Sequence, residues 1–357
     1  MNILLITYQG DVAGSTNSIA YLAEGLTKKG HTVVVGLRQQ SLLFSMLEGS
    51  NVIRVPMQFR SRLDMKNIRQ IRDVVRKYDI QLINAQSSLD RYTTIFARWL
   101  YNLPVRLVHT RRQPPKSIGG LQNLFYTLGT DRFVVISNEL KKIFIEKGFK
   151  SKHLHVIHNG IPQGRYDEWS MSKVGDLRKK YKIKPGDIVI GSVARLKQHR
   201  QILEAVKKID NPAIKVVFAG IKAEDLDTDG MKNQISFAGT VGKEEVLSYY
   251  RLFDLNILAS VSDGFGLVLL EAMAMECPVI ATDFGGIKDV VRHGENGLLF
   301  ADGDIDRLAN NITQIINDKE LRNRLVENGL KTAFEEFTME NTIQKYETFF
   351  SDLINDK

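Results

Sequence analysis

The stretch SVSDGFGLVLLEAMAMECPVIATDFGGIKDVVRHGENGLLF, residues 260–300, decides how this chain is built. It follows Leu255-Asn256-Ile257-Leu258, a short run that reads as a buried strand. Residues 259–265 then read as a loop at that strand's carboxyl end, 267–275 as a helix and 278–281 as the next strand. This order describes a parallel βαβ unit. Gly264 and Gly266 allow a ligand to approach the backbone closely. The helix that follows presents unbonded N–H groups and a partial positive charge suited to phosphate. Asp263 and Glu271 stand eight residues apart, close to two turns if the helix ran unbroken. Both carboxylates can then face one pocket and receive sugar hydroxyls. A polar turn followed by a surface glutamate is the plain alternative.

Working outward, the same alternation recurs along the chain. Before the quoted stretch, strands are expected at 2–7, 31–36, 81–84, 105–109, 132–136 and 154–158, with helices at 17–29, 63–78, 91–101 and 138–147. Asn159-Gly160-Ile161-Pro162 interrupts the pattern, and 162–184 is polar with weak periodicity, as expected of a linker. Strands then return at 187–192, 215–219 and 235–237, with helices at 201–209 and 243–252. Beyond 281, helices are expected at 287–292 and 304–317, and 320–354 is mostly helical. Strand–helix alternation twice over predicts an α/β chain of two doubly wound parallel sheets, with ligands at strand carboxyl ends and a cleft between the domains.

The composition agrees. The 357 residues suit two domains, and 43% hydrophobic with 25% charged residues is ordinary for a globular protein. Cys277 is the single cysteine, so no internal disulfide is possible and a reducing cytoplasm is the expected setting. No run approaches the ~18 apolar residues of a membrane span. The net charge of +8 is unevenly placed. Residues 1–165 hold 24 Lys+Arg against 10 Asp+Glu, while 166–357 hold 25 against 31. The first half should therefore seek an anionic partner.

The quoted stretch resembles the retaining glycosyltransferases of family 4, which have the two-Rossmann GT-B architecture. The residues that carry the likeness are Asp263-Gly264-Phe265-Gly266, Glu271-Ala272-Met273-Ala274, Pro278-Val279-Ile280-Ala281-Thr282, Gly285-Gly286 and Asn296-Gly297-Leu298-Leu299. Further matches run in family order: Gly30-His31-Thr32-Val33, Val135-Ile136-Ser137, Val156-Ile157-His158-Asn159-Gly160-Ile161, Gly191 to Leu196, and Phe237-Ala238-Gly239-Thr240-Val241.

The resemblance implies roles at these positions. Glu271 would bind the donor's ribose hydroxyls, and Asp263 would sit beside the transferred sugar. Backbone N–H groups of Phe265, Gly266 and Leu267 would contact sugar and phosphate, with Val241 and Gly14 also on the donor side. Arg195 would face the diphosphate, His109 would lie near the sugar, and metal would not be needed. Residues 1–165 would form the acceptor domain and 166–340 the donor domain, with 341–357 crossing back to the first.

The chain also departs from the family pattern. Asp263 replaces the family's first Glu, and the family's Lys after Arg195 has no clean counterpart. Arg200 is the first choice for that cation and Lys197 the second. The usual double glycine of the first loop is reduced to Ala13-Gly14.

Helix 63–78 carries Arg62, Lys66, Arg69 and Arg76 at spacings of 4, 3 and 7, while Leu63, Ile68, Ile71, Val75 and Tyr78 are expected to pack on the sheet. Such a basic row fits an anionic membrane surface, or is a solvated face. Free cytoplasm and the inner face of the cytoplasmic membrane both remain open as settings. Arg111, Arg112 and Lys116 follow a strand end and suit an anionic acceptor. Nucleic acid finds no zinc spacing or RNP-like motif, and His153, His155 and His158 form no ready ligand cage for a metal. The expected activity is transfer of a sugar from a nucleotide-diphosphate sugar, UDP-sugar favoured, to a saccharide or lipid-linked acceptor of cell-surface polysaccharide or lipopolysaccharide. A sugar-nucleotide epimerase on the same fold and a non-catalytic partner of another transferase are the alternatives. A dehydrogenase is disfavoured, since no G-x-G-x-x-G follows the first strand.

Overall fold

A computed structural model describes all residues except 12–13, 115–119, 168 and 357, and at Ser172 the backbone alone. The chain divides into two compact units: Met1–Gly160 with Met339–Lys357, and Ile161–Thr338.

The first unit holds a seven-stranded sheet. Its strands are β1 (Asn2–Thr7), β2 (Thr32–Leu37), β3 (Ile53–Pro56), β4 (Leu82–Ala85), β5 (Arg106–Arg111), β6 (Arg132–Val135) and β7 (Leu154–Val156). All pairings are parallel, in the order β3-β2-β1-β4-β5-β6-β7, with Ile3 opposite both Val33 and Leu82. Its helices are α1 (Gly14–Lys28), α2 (Leu42–Met46), α3 (Met65–Lys77), α4 (Ser88–Tyr101), α5 (Gly120–Gly129) and α6 (Asn138–Glu146). β1 reads as a continuous apolar run because helices cover both its faces. Its odd residues Ile3 and Leu5 join Ile19, Leu22 and Leu26 of α1 in one core cluster.

The second unit opens with α7 (Met171–Lys180) and holds six parallel strands: β8 (Ile188–Val193), β9 (Ile214–Ala219), β10 (Gln234–Gly239), β11 (Leu255–Leu258), β12 (Val279–Thr282) and β13 (Leu298–Phe300). Their order is β10-β9-β8-β11-β12-β13. Helices α8 (His199–Ile209), α9 (Glu245–Leu252), α10 (Leu267–Ala274), α11 (Ile305–Asn317) and α12 (Lys319–Lys331) surround them. The last helix, α13 (Met339–Asn355), belongs to the first unit, where Ile343, Tyr346, Phe350 and Leu353 enter the cluster with α1. Both sheets are thus doubly wound α/β sheets. Strand order reverses between β1 and β4 in one and between β8 and β11 in the other, and such switch points open a ligand crevice at strand carboxyl ends.

Four expectations are corrected. Residues 162–184 are not a linker: α7 lies there, capped by Ser170 and packed on α9. Its apolar face is only Val174 and Leu177, continued by Tyr181 and Ile183, too sparse to show as a stripe. Residues 287–292 are not a regular helix: 287–289 close a 3₁₀ turn at Gly285–Asp289 and the chain is irregular beyond it. β3, β13, α2 and α5 had no clear signal in the sequence. Leu63 does not pack on the sheet; α3 starts at Met65 behind an Asp64 cap, leaving Leu63 exposed, while Ile68, Ile71, Val74 and Val75 are buried.

Candidate functional site

The second unit's site is built on the loops after β8 and β11, at the switch point. Gln198 N–H donates to Ala259 O at 3.2 Å, tying the two loops together. The β11 loop is held from below by Thr282, whose Oγ1 accepts from Ser260 N–H at 2.9 Å. Gly266, at φ +81°, turns the chain into α10, a left-handed conformation that favours glycine. Gly285, at φ +56°, lies so close that a Cβ there would sit 3.2 Å from Asp263 O. The N–H groups at the start of α10 therefore face out from a loop with little room to move. Phe265 is buried edge-on against Phe337, with ring centroids 5.6 Å apart. Leu267, the first helical residue, and Val241, just beyond β10, are half-buried.

The helix does not run back to Asp263, so the two carboxylates do not share partners. Asp263 stays in the loop, with Oδ2 3.8 Å from Lys197 Nζ. Lys197 Nζ also donates to Ser262 Oγ. Glu271, about one turn into α10, accepts from Arg165 Nη1 at 3.2 Å and from Tyr250 OH at 3.3 Å. Burial pushes the Glu271 carboxyl above the usual carboxylate range, opposed by Arg165. The buried Tyr250 hydroxyl is pushed well up, by burial and then by Glu271. Arg165 also donates through Nη2 to Lys243 O. Arg165 and Tyr250 escaped the sequence reading because both are distant in sequence from α10.

His199 escaped it too. It is buried edge-on against Phe218, its Nδ1 accepts from Lys197 N–H at 3.0 Å, and burial holds its pKa down at about 4. The ring is thus neutral, with its proton on Nε2, and fixes the backbone at Lys197. The two candidate cations differ. Arg200 is 83% exposed on α8 and pairs with Glu204 at 3.0 Å, away from Asp263, whereas Lys197 is at Asp263. Arg195 is exposed just past β8 and has no ion-pair partner among the described residues.

At the first unit's switch point, the buried Asp90 carboxylate accepts from Tyr8, Gln86 and Ser87 N–H groups and so joins the ends of β1 and β4. On the β5 side, His109 is wholly buried between Tyr126 and Phe133 rather than placed where a sugar could reach it. Burial, then Arg91 and Arg111, push its pKa far down. Arg111 is buried over the Phe144 ring at 4.8 Å, and burial lowers its pKa to about 9. Arg112 is partly exposed, its pKa lowered by burial. Arg91, at the start of α4, joins them and was not anticipated; among the described residues none of these three arginines has an ion-pair partner. Gly14 opens α1 and is exposed. Lys116 lies outside the described residues. Arg62, Lys66, Arg69 and Arg76 are all exposed. The described residues contain no metal-ligating cluster of three or more His, Cys, Asp or Glu.

Two doubly wound parallel-sheet domains with this switch-point loop place the chain in the GT-B class. It belongs to glycosyltransferase family 4: residues 12–165 match that family and residues 174–332 match the glycosyl transferases group 1. The chain is 28% identical over 221 residues to N-acetyl-alpha-D-glucosaminyl L-malate synthase of Bacillus anthracis, covering 58% of this chain and 55% of that protein. It thus spans little more than half the length of that curated relative. Among solved structures, a glycosyltransferase from Rickettsia africae ESF-5 superposes with a TM-score of 0.89 at 19% identity, covering 100% of this chain and 99% of that one. Anabaena Alr3699/HepE in complex with UDP superposes with a TM-score of 0.84 at 21% identity, covering 99% and 100%. At these identities the two structures carry the fold.

Proposed function

We propose that this protein is a metal-independent, retaining glycosyltransferase. It takes a nucleotide-diphosphate sugar, UDP-sugar first, to an anionic saccharide or lipid-linked acceptor of cell-surface polysaccharide or lipopolysaccharide. The observation that carries the reading is the switch-point loop of the second unit. There a glycine-turned helix N-terminus lies beside the Lys197–Asp263 pair, with Glu271 held by Arg165 and Tyr250 further along α10. Membership of the family and the UDP complex of the Anabaena structure support the donor class.

In the proposed reaction the bond from sugar C1 to the diphosphate oxygen breaks, and the electron pair leaves with the nucleoside diphosphate. The acceptor hydroxyl oxygen bonds to C1 on the same face, and its proton passes to the departing phosphate. The α10 N-terminus, Arg195 and Lys197 stabilise the charge that develops on the diphosphate. Glu271 receives ribose hydroxyls, and Asp263 lies beside the sugar. Arg111 and Arg112, with Arg91, supply the acceptor's counter-charge. The row of Arg62, Lys66, Arg69 and Arg76 faces an anionic membrane.

The test is nucleotide release from UDP-, GDP- and ADP-sugars with and without acceptor extracts, with product anomers assigned by NMR. Acceptor-dependent release with retained configuration is expected. Donor conversion without acceptor would indicate an epimerase, and binding without turnover a non-catalytic partner.

A further inference from the structure

The exposed apolar side chains of the first unit are concentrated on one layer. Helix α5 places Leu121, Leu124 and Leu128 on one side at i, i+3 and i+7, and they are 87%, 53% and 66% exposed. This inverts the usual pattern of a surface helix, which turns its apolar stripe inward. The neighbouring end of α4 exposes Trp99 and Leu100. Beneath them runs a chain of rings: Trp99 lies edge-on to Phe125 at 5.4 Å, and Phe125 stacks on Tyr92 at 5.5 Å. The Arg62 guanidinium covers the outer side of Tyr92 at 4.7 Å. The apolar patch is therefore continuous with the basic row of α3.

Leucines and a tryptophan standing clear of the surface, flanked by exposed cations, match the chemistry of a bilayer interface. Acyl chains accept the leucines, the headgroup zone accepts the indole, and anionic headgroups accept the arginines and lysine. We infer that α5 and the end of α4 form a hydrocarbon-inserting anchor that seats the first unit on an anionic membrane, with the α3 cations meeting the headgroups. The inference rests on the reading of α3 as membrane-facing and adds the apolar half that α3 alone lacks. No helix among the described residues is long and apolar enough to cross a membrane, so the anchor lies in the interface. The cation positions favour lipid over a second copy of this chain, because two copies meeting here would bring their basic rows together.

The experiment is co-sedimentation of the full chain with vesicles of phosphatidylcholine, with and without phosphatidylglycerol. Two variants are compared with the parent: Leu121→Ser/Leu124→Ser/Leu128→Ser, and Lys66→Glu/Arg69→Glu. Circular dichroism and UDP binding confirm that each remains folded. The chain has two tryptophans, so Trp169→Phe leaves Trp99 as sole reporter, read by quenching with brominated lipid. Expected are binding to the anionic vesicles, about tenfold or greater loss in the triple leucine variant, and quenching of Trp99. Loss in the charge variant alone, with leucine-variant binding intact and Trp99 unquenched, overturns the anchor and leaves the electrostatic reading of α3 standing. No binding by the parent to either vesicle overturns both membrane readings, and donor turnover then decides the transferase reading separately. A dimer at micromolar concentration that the leucine variant abolishes overturns the inference in favour of self-association.

Discussion

The two sheets treat the cations at their carboxyl edges differently. In the second unit Arg165 is paired with Glu271, and Lys197 faces Asp263. In the first, Arg91, Arg111 and Arg112 gather near His109 and Asp90 with no ion-pair partner among the described residues. A buried cation without a counter-ion is costly, and the cost is relieved when an anion arrives. Of the three only Arg111 is buried, so under the proposed function it is the cation that an anionic acceptor would relieve most. The second edge already holds opposite charges in fixed positions, as suits binding a ligand that carries both hydroxyls and a diphosphate.

The largest expected effect breaks the second edge. Lys197→Ala removes the cation at Asp263 and should lower kcat by about 100-fold, the scale of losing one preorganised charge stabiliser. Steady-state kinetics with saturating donor measure it. Arg165→Ala leaves the Glu271 carboxylate without its guanidinium. It should cost about 2 kcal/mol in urea unfolding, below the range for fully buried pairs because both groups keep some solvent contact. Adding Glu271→Gln should recover part of that stability without restoring donor affinity.

Acid should separate the units. His109 and His153 in the first unit and His199 in the second are held down by burial, the latter two at about 4. A depressed base stays neutral in the fold while the unfolded chain takes up protons below pH about 6.5. Stability is therefore full above that pH and falls as pH drops towards the folded pKa, by about 1.4 kcal/mol per pH unit for each fully titrating histidine. His155 is also held down by burial, so with three such groups against one the first unit should lose stability more steeply between pH 6.5 and about 4. Urea titrations read at Trp99 and Trp169 in single-tryptophan variants test this; equal slopes would remove the contrast.

Arg111→Met acts in the opposite sense to Arg165→Ala. Removing an unpaired buried cation should stabilise the fold by about 1 kcal/mol, after the lost contact with Phe144 is deducted, while raising KM for the acceptor. A lower melting temperature would show that Arg111 is not a cation an anion would relieve. The smallest effect belongs to Arg200→Ala, expected to change kcat by less than about twofold, since an exposed i,i+4 pair contributes little. A large loss there would reinstate Arg200 over Lys197 as the diphosphate's cation.

Much of this was legible in the residues. Apolar runs such as 2–7 and 255–258 coincide with β1 and β11. The Gly264–Gly266 loop and the helix after it could be placed because glycine and a mostly apolar stretch broken only by Glu271 are local signals. α7 was hidden by its sparse apolar face, and α5 by leucines that point outward. At the site, Glu271 could be found from its motif, but its partners Arg165 and Tyr250 could not, since they lie 106 and 21 residues away.

The sequence by itself determined the class of fold, the order of its elements and the loop that carries the candidate donor site. These follow from periodicity and from residue types with strong local preferences. Only the tertiary structure decided that His109 is sealed in the core, that Lys197 rather than Arg200 stands at Asp263, and that Arg91, Arg111 and Arg112 form no ion pair among the described residues. Burial and charge pairing depend on which distant segments pack together, and spacing along one chain does not contain that information.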